Sequence, residues 1–214
     1  MKENKSHLFL EGSQYFYWLV GLNIIFFFSN LPILAGLLFL QLHPANSLYF
    51  YILLLALGTS LQALFSCFGK LKKEKDLSVF KDYCSFYKKN FRKSLAVWFS
   101  LSLVVYIIIL NINFLAGTSF LVLMFPLYLI LVMLFISALV CGLFIVSRDE
   151  ATKIIDVLKY AFYLSVKRLH ITIFNVILFS MWLFVIFLRP VLGLGIMPSV
   201  IVFIMAKNNE FVCS

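Results

Sequence analysis

The chain alternates long apolar runs with short charged segments. Residues 12–69 contain no Asp, Glu, Lys or Arg, and residues 94–147 contain none either. A helix needs about 20 apolar residues to cross the hydrocarbon core of a bilayer, so each run is long enough for two crossings and a turn. The pattern predicts an all-α integral membrane protein that forms a single membrane domain over residues 1–214.

Turn residues divide the apolar runs into separate spans. Pro44 interrupts the first run, and Arg189-Pro190 interrupts the last. Pro32 predicts a kink in the first span, because proline cannot donate a helical hydrogen bond. We predict about six spans, at residues 14–40, 48–68, 95–112, 119–146, 171–188 and 191–206. The sixth is short and is interrupted by two glycines and a proline, so five crossings are the alternative.

The segment between the two charge-free runs is strongly basic. Residues 70–93 hold nine of the chain's 18 Lys and Arg residues. From residue 76 onward, aromatic residues recur every three or four positions with cations between them, which predicts an amphipathic surface helix over residues 76–93. Such a helix lies on the cytoplasmic leaflet and binds anionic lipid, and docking to a partner protein is the alternative. The candidate lipid or partner surface consists of Phe80, Tyr83, Tyr87, Lys88, Lys89, Arg92 and Lys93.

Residues 149–168 form a second charged segment with helical spacing. Apolar positions such as Ile154 and Leu158 share one face, while Lys153 and Lys159 lie on the other. We predict a second cytoplasmic interfacial helix over this range. Each surface helix follows a pair of spans and ends in a basic pair, which indicates a possible internal repeat.

The distribution of charge predicts the orientation of the chain. The formal net charge is +9, although only 13% of the residues are charged. The cations lie in the segments that connect the spans, so the positive-inside rule explains them and we expect no nucleic-acid partner. With six spans, 17 of the 18 cations lie on one side, Lys2 and Lys5 included, and Arg189 lies on the other. We therefore expect a plasma-membrane protein with a cytoplasmic N-terminus.

Small residues occur at helical spacing within two spans. Small side chains at this spacing allow helices to approach closely in lipid. Packing inside the protein is one interpretation, and contact with another subunit is the alternative. The candidate packing residues are Ala56, Ser60 and Ala63 in the second span, and Ala138 and Gly142 in the fourth.

The predicted spans contain amides and hydroxyl groups but no Asp or Glu. Cation-coupled transporters normally hold an ionisable residue inside the membrane, so an ion-driven carrier is disfavoured. The amides can hydrogen-bond neighbouring helices, or they can line a polar pocket or pore. The candidate intramembrane polar residues are Asn23, Asn30, Gln62 and Asn175.

The sequence contains no motif that carries chemistry. Catalytic motifs with a nucleophilic serine, a zinc-binding histidine pair or a phosphate loop are absent from the sequence. The three histidines are far apart along the chain. We therefore expect no enzyme activity, no catalytic residue, no metal and no cofactor.

Four segments of the chain carry a family resemblance. In chain order they are LFLEGSQYFYWLVGLN, GLNIIFFFSNLPILAG, FKDYCSFYKKNFRKS and AFYLSVKRLHITI. These segments resemble the YesL family of bacterial polytopic membrane proteins, a domain of unknown function. The third segment matches best, and the Leu31-Pro32 step is the second match. In the third segment, the residues that follow the family's aromatic-basic, Asn-Phe pattern are Phe80, Asp82, Phe86, Asn90 and Phe91.

The resemblance implies a role in carbohydrate uptake. Members of this family are often encoded beside carbohydrate ABC importers and sugar-sensing regulators. We therefore expect a non-enzymatic accessory or regulatory membrane protein that associates with a carbohydrate ABC importer, in a bacterial plasma membrane. The alternative is a small transporter or channel for a neutral solute, lined by the four amides.

Overall fold

The computed structural model describes residues 2–41, 43–149 and 151–213, and it describes side chains only between residues 14 and 209. In these ranges every regular element is a helix. A 3-10 turn (Pro44–Asn46) separates the second and third helices. The α-helices are α1 (Lys2–Ser29), α2 (Leu31–Phe39), α3 (Ser47–Glu74), α4 (Val79–Phe114), α5 (Ser119–Arg148), α6 (Ile154–Lys167), α7 (Leu169–Leu188), α8 (Pro190–Gly195) and α9 (Pro198–Cys213).

The first predicted span is a bent pair of helices. α1 and α2 meet at Asn30 with a bend of 58°, so the kink predicted at Pro32 is present. Pro32 lacks the N–H that would bond the Phe28 carbonyl. Beside the break, the Phe26 carbonyl oxygen accepts both the Asn30 side-chain amide at 2.8 Å and the Asn30 N–H at 3.2 Å. The break therefore occurs in the apolar interior, where Asn30 is fully buried.

The first predicted surface helix is not a separate element. α4 runs without interruption from Val79 to Phe114, so it joins the predicted surface helix 76–93 to the predicted span 95–112. No glycine or proline lies between these two parts, and Ser94 at their junction is fully buried. A helix of 36 residues is about 54 Å long, whereas the hydrocarbon core is about 30 Å thick. α4 is therefore longer than a straight crossing of the hydrocarbon core requires.

The second surface helix is separate, and its start lies later than predicted. α6 begins at Ile154 instead of residue 149, and residue 150 lies outside the described residues. It packs against α4 and α5 where Gly142 leaves room, because a Cβ at Gly142 would lie 3.0 Å from Val97 and 3.7 Å from Ala161. The first predicted surface helix continues directly into a span, whereas the second is a separate helix. The predicted repeat is therefore not confirmed.

Two short helices replace the predicted sixth span. α8 and α9 run back along α7, since Trp182 of α7 donates to the Gly193 carbonyl at 2.7 Å and Asn175 donates to Asn209 at 2.8 Å. In the described part of the chain, four helices are long and apolar enough to cross a membrane, or five if α1 and α2 form one bent span. The fold is that of an all-helical, multi-pass membrane protein, and six spans are not confirmed.

One amide side chain connects α1 to the break between α8 and α9. Asn23 accepts a hydrogen bond from the Ser199 N–H at 2.9 Å and donates to the Ile196 carbonyl at 2.8 Å. Backbone groups at helix ends lack partners within the helix, and lipid offers none. Asn23 thus satisfies one group on each side of the break.

Asn23→Ala is expected to destabilise the protein by about 1–3 kcal/mol, because it leaves a buried N–H and a buried C=O without partners. The apparent melting temperature in detergent measures the loss. Asn113→Ala is the matched control, since the exposed Asn113 amide donates only to the Ile109 carbonyl within its own helix. Equal melting temperatures for the two variants would contradict the bridging role of Asn23.

Gly193→Ala is expected to separate α8 from α7. A Cβ at Gly193 would lie 2.7 Å from the Ile186 Cα atom, so backbone must move, at a cost of about 1–3 kcal/mol. Gly195→Ala controls for helix propensity on the same helix, because its Cβ would lie 3.6 Å from the Phe27 ring, an ordinary contact. We expect a lower melting temperature only for Gly193→Ala, and a loss shared by both variants would argue against this contact.

Candidate docking surface and the polar interior

The part of α4 that precedes the predicted span, residues 79–94, is here called the basic extension. It comprises 16 residues, so it is about 24 Å long. Several of the residues predicted for the lipid or partner surface share its exposed side, and Phe80 is 72% exposed. The exposed aromatic and cationic side chains are Phe80, Lys81, Lys88, Lys89, Phe91 and Arg92.

Tyr83 does not belong to this surface. Its side chain is 1% exposed, and its hydroxyl group lies beside Ser29 of α1 and Ser60 of α3. Tyr87 is half-buried and stacks on Tyr83 with ring centroids 6.2 Å apart. The assignment of Tyr83 to the lipid or partner surface is therefore wrong, because α1 and α3 cover the face of α4 that carries it.

Ionic and backbone contacts fix the start of the basic extension. The Lys70 ammonium group lies 2.8 Å from an Asp82 carboxylate oxygen and 3.7 Å from Glu74. The same Asp82 oxygen accepts a hydrogen bond from the Ser78 N–H at 2.9 Å, just before the first turn of α4. An acidic group at a helix N-terminus also interacts favourably with the helix dipole. These contacts hold the end of α3 against the start of α4.

Lys93 connects the extension to the rest of the chain. Its ammonium group donates to the Asp149 carbonyl oxygen at 3.2 Å and to the Thr152 hydroxyl at 3.1 Å, in the segment between α5 and α6. Nearby, the Arg148 guanidinium lies over the Phe144 ring at 5.2 Å and against Gly69. The structure thus places Lys93, predicted for the lipid or partner surface, in a contact within the chain.

The small residues of the second and fourth spans lie inside the protein. Ser60 and Ala63 are fully buried in α3, and Ala56 is half-buried. Ala138 and Gly142 are buried in α5. Ser60 and Ala63 are therefore not available for contact with another subunit, because helices of the same chain already cover them.

The four predicted intramembrane amides do not share one site. Asn23 bridges α1 to the α8–α9 break, and Asn30 donates within its own helix. Gln62 donates to the Ser66 hydroxyl at 2.8 Å, also within one helix, and Asn175 bonds to α9. Among the described side chains, no hydrogen bond joins two of these four. Each one satisfies a different part of the fold.

A pair of asparagines in α9 is not among the intramembrane polar residues predicted from the sequence. Asn208 donates to the Asn175 carbonyl group at 2.9 Å, and Asn175 in turn donates to Asn209 at 2.8 Å. Asn209 is 1% exposed. The pair follows Lys207, beyond the end of the predicted sixth span at residue 206. The only signal in the sequence is that two amides stand next to each other directly after an apolar run.

Over the described residues, no three His, Cys, Asp or Glu side chains lie close enough together to hold a metal ion. The ionic contacts within them, such as Lys70 with Asp82, fix helix ends. The arrangement can bind a partner through the exposed cations, and it can accommodate lipid between its helices.

Comparisons with known proteins identify a family over part of the chain. Residues 19–112 match the family model described as "Protein of unknown function, DUF624". No curated protein and no solved structure matches the chain. The match covers α2 and α3, the last 11 residues of α1 and nearly all of α4, the basic extension included. Residues 19–112 are similar to the DUF624 family, which is the YesL family, so the resemblance seen in the sequence is confirmed over this range.

Proposed function

We propose that the protein is a non-enzymatic accessory membrane protein that docks a cytoplasmic partner through the basic extension. The observation that carries this proposal is the exposed basic side of the extension, which holds Lys88, Lys89 and Arg92. The carbohydrate ABC importer that the family resemblance implies is the candidate partner.

The two sides of the extension differ in exposure. Lys88, Lys89 and Arg92 are exposed. The opposite side is covered, since the Tyr83 hydroxyl lies beside Ser60 of α3. Arginine and aromatic side chains are enriched at protein interfaces, and the same cations attract anionic lipid, which is the alternative partner.

A rigid attachment supports recognition by this surface. Docking elements are most specific when packing and hydrogen bonds hold them in place before binding. Asp82 fixes the start of the extension through Lys70, and Lys93 fixes its end through Thr152. The exposed Lys88, Lys89 and Arg92 side chains lie between these two attachment points.

We also infer the orientation that docking requires. The basic extension lies on the cytoplasmic face of a bacterial plasma membrane, and the N-terminus lies on the same side. Lys2 and Lys5 contribute to this inference through their charge, although their side chains lie outside the described residues. α8 and α9 together make a broken sixth crossing, which the hydrogen bonds of α7 to both helices support.

Simultaneous Lys88→Glu, Lys89→Glu and Arg92→Glu substitutions are expected to release the partner and leave the protein in the membrane. Reversed charges repel an acidic docking surface, while the apolar spans remain unchanged. Extraction of native membranes in mild detergent, followed by mass spectrometry of proteins that co-purify with a tagged chain, measures the effect. We expect ABC-importer subunits with the wild type and their loss from the variant.

A second triple variant, Lys153→Glu with Lys159→Glu and Lys167→Glu, reverses the same number of exposed charges on α6. Partner loss confined to the α4 variant would support docking by the extension. Unchanged co-purification of importer subunits with the α4 variant would exclude this surface. Equal loss from both variants would indicate a general effect of surface charge.

Single cysteines test the orientation in a chain that lacks its own four cysteines. A membrane-impermeant maleimide added to intact cells is expected to label Thr118→Cys and Arg189→Cys. Lys81→Cys and Lys207→Cys should react only after permeabilisation. If Lys207→Cys reacts from outside together with Arg189→Cys, α8 and α9 do not complete a crossing.

A further inference from the structure

A cavity of about 360 Å³ lies between α3, α4, α5 and α7, in the half of the molecule opposite the basic extension. Its volume falls within the range of small-molecule pockets, about 300–1,000 Å³. The deep end is formed by Leu57, Trp98 and Phe179, and the outer end by Ser47, Tyr106 and Phe187. Nearly all of this lining is apolar or aromatic.

The cavity exists because α5 packs against the other helices along only half of its length. Its buried residues are confined to Ser137–Val146, so the preceding half, from Ser119 onward, lies against no core. At the deep end, Gly58 allows close packing of Trp98 on α3, since a Cβ there would lie 2.3 Å from the indole ring. The cavity therefore has a closed, aromatic floor and an open outer half.

The length of the cavity matches one leaflet of a bilayer. Ser47 and Leu57 are ten residues apart on α3, which is about 15 Å. Half of the hydrocarbon core is also about 15 Å. The cavity thus extends from the membrane surface to the midplane, the depth that one leaflet's lipid chains occupy.

The outer end presents neutral hydroxyl groups. The Ser47 and Tyr106 hydroxyls lie 3.1 Å apart, and the Tyr106 ring stacks on Tyr51 with centroids 4.7 Å apart. The residues that line the cavity include no Asp, Glu, Lys or Arg. The cavity is apolar inside and carries hydroxyl groups at its outer end, near the membrane surface. These features suit a lipid acyl chain whose ester or headgroup lies at the outer end.

We propose that this cavity binds one acyl chain of a membrane phospholipid from the leaflet opposite the basic extension. The chain fills the space beside α5, its terminal methyl group contacts Trp98, and its ester group lies near Ser47 and Tyr106. This proposal does not depend on the identity of the docking partner.

Bromine atoms near the ends of phospholipid chains quench tryptophan fluorescence on contact, and Trp98 serves as the reporter. A chain with Trp18→Phe and Trp182→Phe retains only Trp98, and a chain with Trp18→Phe and Trp98→Phe retains only Trp182. Both are reconstituted in vesicles of phosphatidylcholine with brominated or ordinary chains. Trp98 is expected to lose most of its fluorescence, and Trp182, fully buried in the core, much less.

Val105→Phe, which fills the cavity, is expected to restore Trp98 fluorescence. Ile107→Phe on the exposed face of the same helix is the control and should change nothing. Equal quenching of Trp98 and Trp182, or Trp98 quenching that Val105→Phe leaves unchanged, would overturn the proposal. So would an unquenched Trp98 in a chain that cross-links as a dimer, since a second copy would then occupy the cavity.

A second measurement avoids substitution of tryptophan. Native mass spectrometry of the otherwise unaltered chain is expected to show one retained phospholipid, and the Val105→Phe chain should lose it. Retention of the lipid by both chains would count against the cavity as its site.

Discussion

The need to satisfy backbone hydrogen bonds inside lipid shapes this protein. Helices broken within an apolar environment leave N–H and C=O groups without water to bind. Asn23 supplies a donor and an acceptor to the break between α8 and α9, and Trp182 supplies a donor to Gly193. These bonds connect α1 to the break between α8 and α9, and α7 to α8. The order of the bundle therefore depends on a few neutral side chains placed at breaks.

The candidate docking surface depends on two helices that run without a break. α3 and α4 contain no internal break over their described lengths. The turn between them is short, and Lys75 adopts a left-handed conformation (φ 54°) that ends α3. Asp82 then connects the two helices through Lys70. An extension that is continuous with a buried helix keeps its direction without a partner.

Local chemistry made part of this structure predictable. The kink at Pro32 follows from the missing N–H of proline, and the multi-pass class follows from apolar runs that lack charge. The continuity of α4 could not be read from amphipathic spacing, because that spacing gives a face but not the direction of a helix axis. Tyr83 and Phe80 belong to the same aromatic pattern along the helix, yet α1 covers Tyr83 and leaves Phe80 exposed. Burial of Asn209 likewise depends on Asn175, 34 residues away.

The polar groups in the interior of this fold are neutral, and this limits the physical signals to which the helix packing can respond. A charge that moves across the membrane gains or loses about 2.3 kcal/mol per 100 mV, and ionisable groups add dependence on pH. The charge-free runs contain no Asp, Glu, Lys or Arg, and their buried amides and hydroxyls stay neutral at every physiological pH. Their one histidine, His43, lies in the turn before α3 and not in a helix. A change of membrane potential therefore finds no charged side chain to act on within these runs. The two proposed contacts, at the basic extension and in the cavity, act by binding and need no buried charge.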